Sequence, residues 1–357
     1  MRTFPTLFCL ASLLAAVSSA QAGPPAKAAT PAYGLLKKYD VGGLGGWDYL
    51  LADAKSGHLF VSRGDRALVV NMADGTLAAT IAGTEGIHGF ALAPELGHGY
   101  TSNGRADSVT VFDLATLKPV GTIAAGGRNP DAILYDRASK HLFTFNGRSK
   151  DVSVIDPQAQ KVLATIAVGG KPEFAASDEN GRVYFNIEDT SELGVIDTRS
   201  NTLAAKWKLE DCEDPSGLAL DAAHRRVFSV CQNRRMVVTD AASGKFVASV
   251  AIGNGPDAAA YDAGRGVIFS SNGEDGSLTV VKQIDADHYA VAQTLPTETS
   301  ARTLALDSES HRVYLAAAKF GAKPAATPEQ PHPRVPVLEG SFKILVVGDS
   351  APQSAAQ

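Results

Sequence analysis

The chain has 357 residues and a formal net charge of −5, and 45% of its residues are hydrophobic. The negative balance argues against binding to nucleic acid or to an anionic membrane surface. The 34 glycines and 18 prolines lie between short apolar runs, so they indicate many turns rather than disorder.

The N-terminal segment has the pattern of an export signal. Arg2 supplies a positive charge, residues 7–17 are apolar, and Ala20-Gln21-Ala22 has the small-x-small spacing of a cleavage site. The apolar run is too short to span a membrane, and we expect no membrane span elsewhere. We predict a signal peptide over 1–22, a flexible leader over 23–32 and a periplasmic or secreted protein.

The chain from residue 33 to residue 349 is built from a repeat. Each unit contains four short apolar runs separated by turn-forming residues, as in 151–186. The first runs of successive units end 41 to 45 residues apart, by subtraction, at Asp53, Pro94, Asp136, Asp178, Asp221, Asp262 and Asp307. This period predicts an all-β fold, a seven-bladed β-propeller of four-stranded antiparallel blades.

The two ends of the repeat complement each other. Residues 34–43 match a fourth strand, whereas the last unit ends with a third strand at 342–348. An N-terminal strand that joins the last blade would therefore close the ring and remove both exposed edges. Residues 319–340 are rich in proline and predict a long rim loop, either a tolerated insertion or a lid over a site. We expect a disordered tail over 350–357.

Two segments carry a family resemblance. Residues 152–186 (VSVIDPQAQKVLATIAVGGKPEFAASDENGRVYFN) and 218–233 (LALDAAHRRVFSVCQN) resemble the YVTN-type repeat of exported, YncE-like seven-bladed propellers. The tetrapeptide itself is degenerate here, with VYFN, FTFN and YTSN in its place. The resemblance implies a fold and export, but no single chemistry, because the motif consists of strand and turn residues.

Candidate ligand-binding residues lie where the chain enters each first strand, at one mouth of the channel. They are Trp47, Asp48, His88, Arg128, Asp131, Glu173, Asp257 and Arg302. The carboxylates suit a hard cation or a cationic ligand, while the alternative is that Pro-Asp and Pro-Glu pairs only form turns. His88 and Trp47 break the repeat, which makes them the better functional candidates. Arg63, Arg105, Arg148 and Arg234 predict an outer basic set on the same rim, or simply a solvated surface of mixed charge.

Cleavage of the signal peptide would leave two cysteines, Cys212 and Cys231. In an oxidising compartment an even pair predicts a disulfide. The alternative is a thiolate metal site with His88, but the sequence has no C-x-x-C pair to support it.

The leading functional hypothesis is an exported, non-catalytic and monomeric propeller without a cofactor. It would bind a small ligand or an exported or envelope protein at the mouth. The sequence has no G-x-S-x-G elbow, P-loop or zinc-protease helix. The alternative is a lactonase-like hydrolase or lyase, with His88 as general base and Asp48, Asp131 or Glu173 holding a divalent metal. Single-stranded DNA binding is a weaker alternative that the YncE-like resemblance suggests and the net charge opposes.

Overall fold

The structure is a computed structural model that describes residue 1, residues 32–327 and residues 335–350. The predicted signal peptide beyond Met1 and nearly all of the leader lie outside these residues. So do 328–334 of the rim loop and 351–357 of the tail. Within the described ranges, no helix is long and apolar enough to cross a membrane.

The described residues form seven sheets, each of four antiparallel strands, which confirms the predicted seven-bladed propeller. Strands are numbered in chain order. The first strands of blades 1 to 7 are β2 (Leu50–Asp53), β6 (Ile87–Ala93), β10 (Pro130–Asp136), β14 (Pro172–Ser177), β18 (Pro215–Asp221), β22 (Pro256–Asp262) and β26 (Thr303–Asp307). The second strands are β3 (His58–Arg63), β7 (His98–Asn103), β11 (His141–Asn146), β15 (Arg182–Ile187), β19 (Arg226–Cys231), β23 (Val267–Asn272) and β27 (Arg312–Ala317).

The outer half of each blade follows the same order. The third strands are β4 (Arg66–Asn71), β8 (Ser108–Asp113), β12 (Asp151–Asp156), β16 (Glu192–Asp197), β20 (Arg235–Asp240), β24 (Ser277–Gln283) and β28 (Lys343–Asp349). The fourth strands are β5 (Leu77–Ile81), β9 (Pro119–Ala124), β13 (Lys161–Ala167), β17 (Thr202–Lys208), β21 (Phe246–Ala251), β25 (Tyr289–Pro296) and, in blade 7, β1 (Tyr33–Asp40). Two single-turn 3₁₀ helices, Pro94–Leu96 and Glu188–Thr190, replace turns.

The strand order of the seventh sheet is β1–β28–β27–β26. β1 runs antiparallel to β28, with Tyr33 opposite Asp349 and Asp40 opposite Lys343. Each first strand contacts the first strands of the two neighbouring blades, including β2 with β26. The first strands therefore surround the channel, and their entry ends meet at one mouth.

The position of a strand in its blade explains its sequence pattern. Second and third strands are buried on both faces, so even the polar residues inside them, such as Thr144 in HLFTFN and Ser153 in DVSVID, are buried. Fourth strands expose one face and alternate, as in KVLATIA. The core lies between blades, where Phe145 of blade 3 packs on Phe185 of blade 4 with ring centroids 5.4 Å apart.

Cys212 and Cys231 form the predicted disulfide, with Cα atoms 5.3 Å apart. The bond joins the entry loop of blade 5 to the end of β19. Gln232, the next residue, donates a hydrogen bond of 3.0 Å to the Pro256 carbonyl at the mouth. The disulfide therefore fixes the rim of blade 5, and Gln232 links that rim to blade 6.

We expect the double substitution of Cys212 and Cys231 by serine to lower the free energy of unfolding. The bond closes a loop across a sequence separation of 19 residues. In the chain-entropy model, such a loop is worth about 3 kcal/mol. Denaturant unfolding of the wild type and the variant measures the difference, which should disappear in a thiol reductant. An equal difference under reducing conditions would contradict the assignment to the disulfide.

Candidate functional site

The residues at the mouth are positioned by irregularities in strand pairing. In blades 2 to 6, the register between the first and second strands shifts near the start of the first strand. In blade 3, for example, Pro130 is opposite Asn146 and Ile133 is opposite Thr144, so Asp131 and Ala132 oppose one residue. A bulge of this kind re-aims a side chain. The same shift contains His88, Glu173, Ser216 and Asp257.

Serine side chains hold the backbone of these entry positions across neighbouring blades. Ser102 of blade 2 accepts a hydrogen bond of 2.9 Å from the N–H of Gly89 in the same blade. It also donates a hydrogen bond to the Asp131 carbonyl of blade 3. Ser271 of blade 6 donates to the Arg302 carbonyl of blade 7. The repeated serine near the end of the second strand therefore fixes the next blade's entry residue.

The centre of the site is His88 between two aspartates. His88 Nδ1 lies 2.6 Å from Asp48 Oδ2 and 3.6 Å from Asp131 Oδ1. Burial raises the pKa of Asp131 to about 6, with a further contribution from Asp48, although His88 opposes the shift. The imidazole is therefore oriented by carboxylates in a largely buried setting.

Arg302 connects the entry segments of blades 6 and 1 at the mouth. Its guanidinium lies 3.2 Å from Asp257 Oδ2 and 3.7 Å from Asp48 Oδ1, and it donates to the Trp47 carbonyl at 3.0 Å. Burial raises the pKa of Asp257 to about 6 despite the Arg302 charge. Arg302 thus balances two carboxylates and holds the chain at Trp47.

A third ion-pair group lies beside Asp131. Lys171 Nζ lies 2.6 Å from Glu173 Oε1 and also pairs with Glu188. Burial and the charge of Asp131 raise the pKa of Glu173, against the opposing effect of Lys171. Tyr49 stacks on Phe174 with centroids 4.3 Å apart, and the Tyr49 hydroxyl is buried without a hydrogen-bond partner in the described structure.

Three cavities open at this mouth and share Trp47 and Arg302 in their walls. One, of about 620 Å³, is polar and contains Asp48, His88, Arg105 and Arg148. The others, of about 810 and 780 Å³, both have Phe320 in their walls. Phe320 stacks on Trp47 with centroids 5.7 Å apart.

The described ends of the predicted rim loop form part of this mouth. Phe320 pairs with Val337 in an isolated β-bridge, and Val335, Pro336 and Leu338 also line the cavities beside Trp47. The described ends of the loop therefore contribute apolar side chains to cavities that also contain the charged residue Arg302.

The structure brings most of the predicted site residues together. Trp47, Asp48, His88, Asp131, Glu173, Asp257 and Arg302 lie around the one mouth. Arg128 lies apart from them, with Nε 3.9 Å from Asp107 Oδ2 and a side chain that is two-thirds exposed. It does not line any of the three cavities described above.

Sequence reasoning missed Lys171, Glu188, Tyr49 and Phe320. Lys171 follows two glycines in a turn and Glu188 begins a short helical turn, so neither differs in pattern from a solvated loop residue. The prediction for Arg63 was wrong. Its side chain is fully buried, because the guanidinium donates to the carbonyls of Gly42, Gly43 and Gly45 and packs on Phe342.

Comparison with known proteins identifies the fold alone. No family model and no curated protein matches the chain. Among solved structures, the chain is similar to a chain of Kuenenia stuttgartiensis hydrazine synthase, with a TM-score of 0.66 and 15% identity. The match covers 83% of this chain and 96% of the other. At this identity the likeness supports the propeller fold and carries no activity across.

Proposed function

We propose that this protein is an exported, non-catalytic β-propeller that binds a small ligand at the channel mouth. The observation that carries the proposal is that Trp47 and Arg302 line all three cavities at the mouth. We call the carboxylates and Arg302 the charged floor of the mouth, and Trp47 with Phe320 its aromatic wall. Ligand sites commonly combine an apolar wall with a few convergent polar groups. The ligand's polar end would face the carboxylates and Arg302, and its apolar part would rest on Phe320.

The proposal includes membership of the YVTN-type, YncE-like propellers and a periplasmic or secreted location. The repeat segments at 152–186 and 218–233 support the family, and the N-terminal export pattern supports the location. The Cys212–Cys231 disulfide is compatible with an oxidising compartment.

Substitution of Phe320 by alanine tests the aromatic wall. Phe320 is 48% exposed, so its removal should leave the fold intact. Loss of its apolar contact with a bound ligand should weaken affinity by about tenfold, which corresponds to about 1.4 kcal/mol. Mass spectrometry of compounds that copurify with the native protein identifies the ligand, and calorimetry then measures affinity.

The matched control is Phe246, which is 40% exposed on the outer strand β21 of blade 5. Phe246→Ala removes the same group from a surface far from the mouth and should leave affinity unchanged. Equal affinity of wild type and Phe320→Ala would contradict the proposed wall.

Metal-assisted hydrolysis or lyase chemistry at the same mouth is the second candidate. It is favoured by the hydrogen-bonded His88–Asp48 pair, since a histidine oriented by a carboxylate is the usual arrangement of a general base. Turnover of lactones by metal-loaded protein, lost in His88→Gln, would favour catalysis over binding.

A further inference from the structure

Three potential ligand atoms converge at the polar end of the mouth. His88 Nδ1, Asp48 Oδ2 and Asp131 Oδ1 lie within 4.8 Å of one another. They come from the entry segments of blades 1, 2 and 3, so the fold and not a local sequence motif brings them together. One imidazole nitrogen and two carboxylate oxygens form a donor set that suits a divalent first-row transition metal.

The distances are close to those of a metal site. Ligands at about 2.1 Å from a tetrahedral zinc ion are separated from one another by about 3.4 Å. The 3.6 Å between His88 Nδ1 and Asp131 Oδ1 already fits this value. The 2.6 Å between His88 Nδ1 and Asp48 Oδ2 is a hydrogen-bond distance and must lengthen by under 1 Å. The Asp48 side chain is about 25% exposed, which leaves it room to rotate.

The groups around the ligands restrict their positions. The Asp48 N–H donates to Ser62 Oγ at 2.8 Å, and Ser102 Oγ donates to the Asp131 carbonyl. A Cβ on Gly104 would lie 2.6 Å from His88 Nε2, so the imidazole occupies space that only glycine leaves open. Ligand groups supported in this way need little rearrangement to bind an ion.

The local charge also favours a cation. Four carboxylates, Asp48, Asp131, Glu173 and Asp257, share the permanent positive charges of Arg302 and Lys171. Lys171 is shared further with Glu188. The group therefore contains more carboxyl groups than permanent positive charges, a composition that suits a divalent cation.

Other His–Asp pairs in the described structure lack this arrangement. His311 Nδ1 lies 2.7 Å from Asp262 Oδ2 and His224 Nδ1 lies 2.7 Å from Asp221 Oδ2, both at the opposite ends of the first strands. Within residues 32–327 and 335–350, His88 alone has side chains of two different acidic residues within 4 Å of one ring nitrogen.

We propose that Asp48, His88 and Asp131 bind one divalent transition-metal ion, with its remaining coordination positions facing the 620 Å³ cavity. The wall of that cavity carries Arg105 and Arg148, so an anionic group of a mouth ligand can reach both the ion and a guanidinium. The inference rests on the proposed function only in that both use the same mouth.

The test uses the full mature chain, stripped with a chelator and titrated with Zn²⁺. Elemental analysis and calorimetry should give one ion per chain. Loss of an outer-shell partner costs about 10–100-fold in metal affinity, so His88→Gln and Asp48→Asn should each weaken Zn²⁺ by more than about 100-fold. Asp48 is partly exposed, which keeps this variant useful if substitution of the buried Asp131 impairs folding.

His311→Gln is the matched control. It removes a histidine that also lies beside an aspartate, Asp262, but that has no second acidic side chain within 4 Å in the described structure. It should bind Zn²⁺ as the wild type does. Wild-type Zn²⁺ affinity in both His88→Gln and Asp48→Asn, or no stoichiometric Zn²⁺ in the wild type, would overturn the inference. If either of these outcomes occurs while the stripped protein still binds the copurified compound in a Phe320-dependent manner, the metal site fails and the proposed function stands.

Discussion

Substitution of Arg63 by alanine should lower the free energy of unfolding by about 3–5 kcal/mol. Arg63 is fully buried at the end of β3. Its guanidinium donates at 2.6 Å to the Gly45 carbonyl and at 2.9 Å to the Gly43 carbonyl, and lies 3.8 Å from the Phe342 ring centroid. Alanine would leave these carbonyls unsatisfied and open a cavity. Denaturant unfolding measures the loss, and tryptophan fluorescence reports on Trp47, which follows the affected loop.

Arg66 provides the comparison, because it binds the same loop from an exposed position. It donates to the Leu44 carbonyl at 3.0 Å, and its side chain is 33% exposed. Arg66→Ala should cost less than about 1 kcal/mol. Arg63→Lys keeps the charge but not the planar fork, so it should fall between the two. If Arg63→Ala were no more harmful than Arg66→Ala, the buried guanidinium would not be the anchor of this loop.

The effect of Arg63 bears on function because of what the loop connects. Residues 42–46 run from β1 of blade 7 to Trp47 at the mouth, and the Gly42 N–H donates to the Phe342 carbonyl. Trp47 in turn contacts Phe320 and Phe342, with ring centroids 5.7 and 5.4 Å apart. One buried arginine therefore holds together the last blade, the first blade and the aromatic wall of the site.

The sequence predicts the fold well because a propeller repeats one local rule. Every unit has the same order of apolar runs and turns, so the signal for four strands recurs and errors in one blade are corrected by the others. The entry residues follow from that alignment. Asp131, Glu173 and Asp257 could be placed at one mouth because each follows a proline at the same repeat position.

The parts that escaped prediction depend on where a side chain points. Arg63 precedes a glycine and Arg105 follows one, in both cases at the end of a second strand. Arg63 is nevertheless buried beneath the 42–46 loop, whereas Arg105 lines the 620 Å³ cavity. Arg128 was expected at the mouth and instead lies beside Asp107. Lys171 becomes informative only when Glu173 and Glu188 are seen around it. Such contacts join different loops, and no local pattern encodes them.

Asp257 in the charged floor also makes the free energy of unfolding depend on pH. Its contribution falls as pH rises, which is the opposite of the usual behaviour of a carboxylate in a folded protein. Burial raises the pKa of Asp257 from 3.8 to about 6, with a further contribution from Asp48 and Glu188, while Arg302 and Ser216 oppose the shift. The folded protein therefore binds a proton more tightly than the unfolded chain does. For a raised pKa, the stabilising contribution is present below the unfolded value of 3.8 and is lost as pH rises through about 6.

We therefore expect Asp257→Asn to gain stability relative to the wild type as pH rises from 4 to 7.5. A shift of about 2 pKa units corresponds to about 3 kcal/mol, which the wild type loses over this range and the variant does not. Loss of the Arg302 partner adds a pH-independent offset, so the slope is the informative quantity. Denaturant unfolding in a chelator measures both proteins across the range. Parallel curves would mean that folding leaves the pKa of Asp257 unchanged, because Arg302 offsets the effect of its burial.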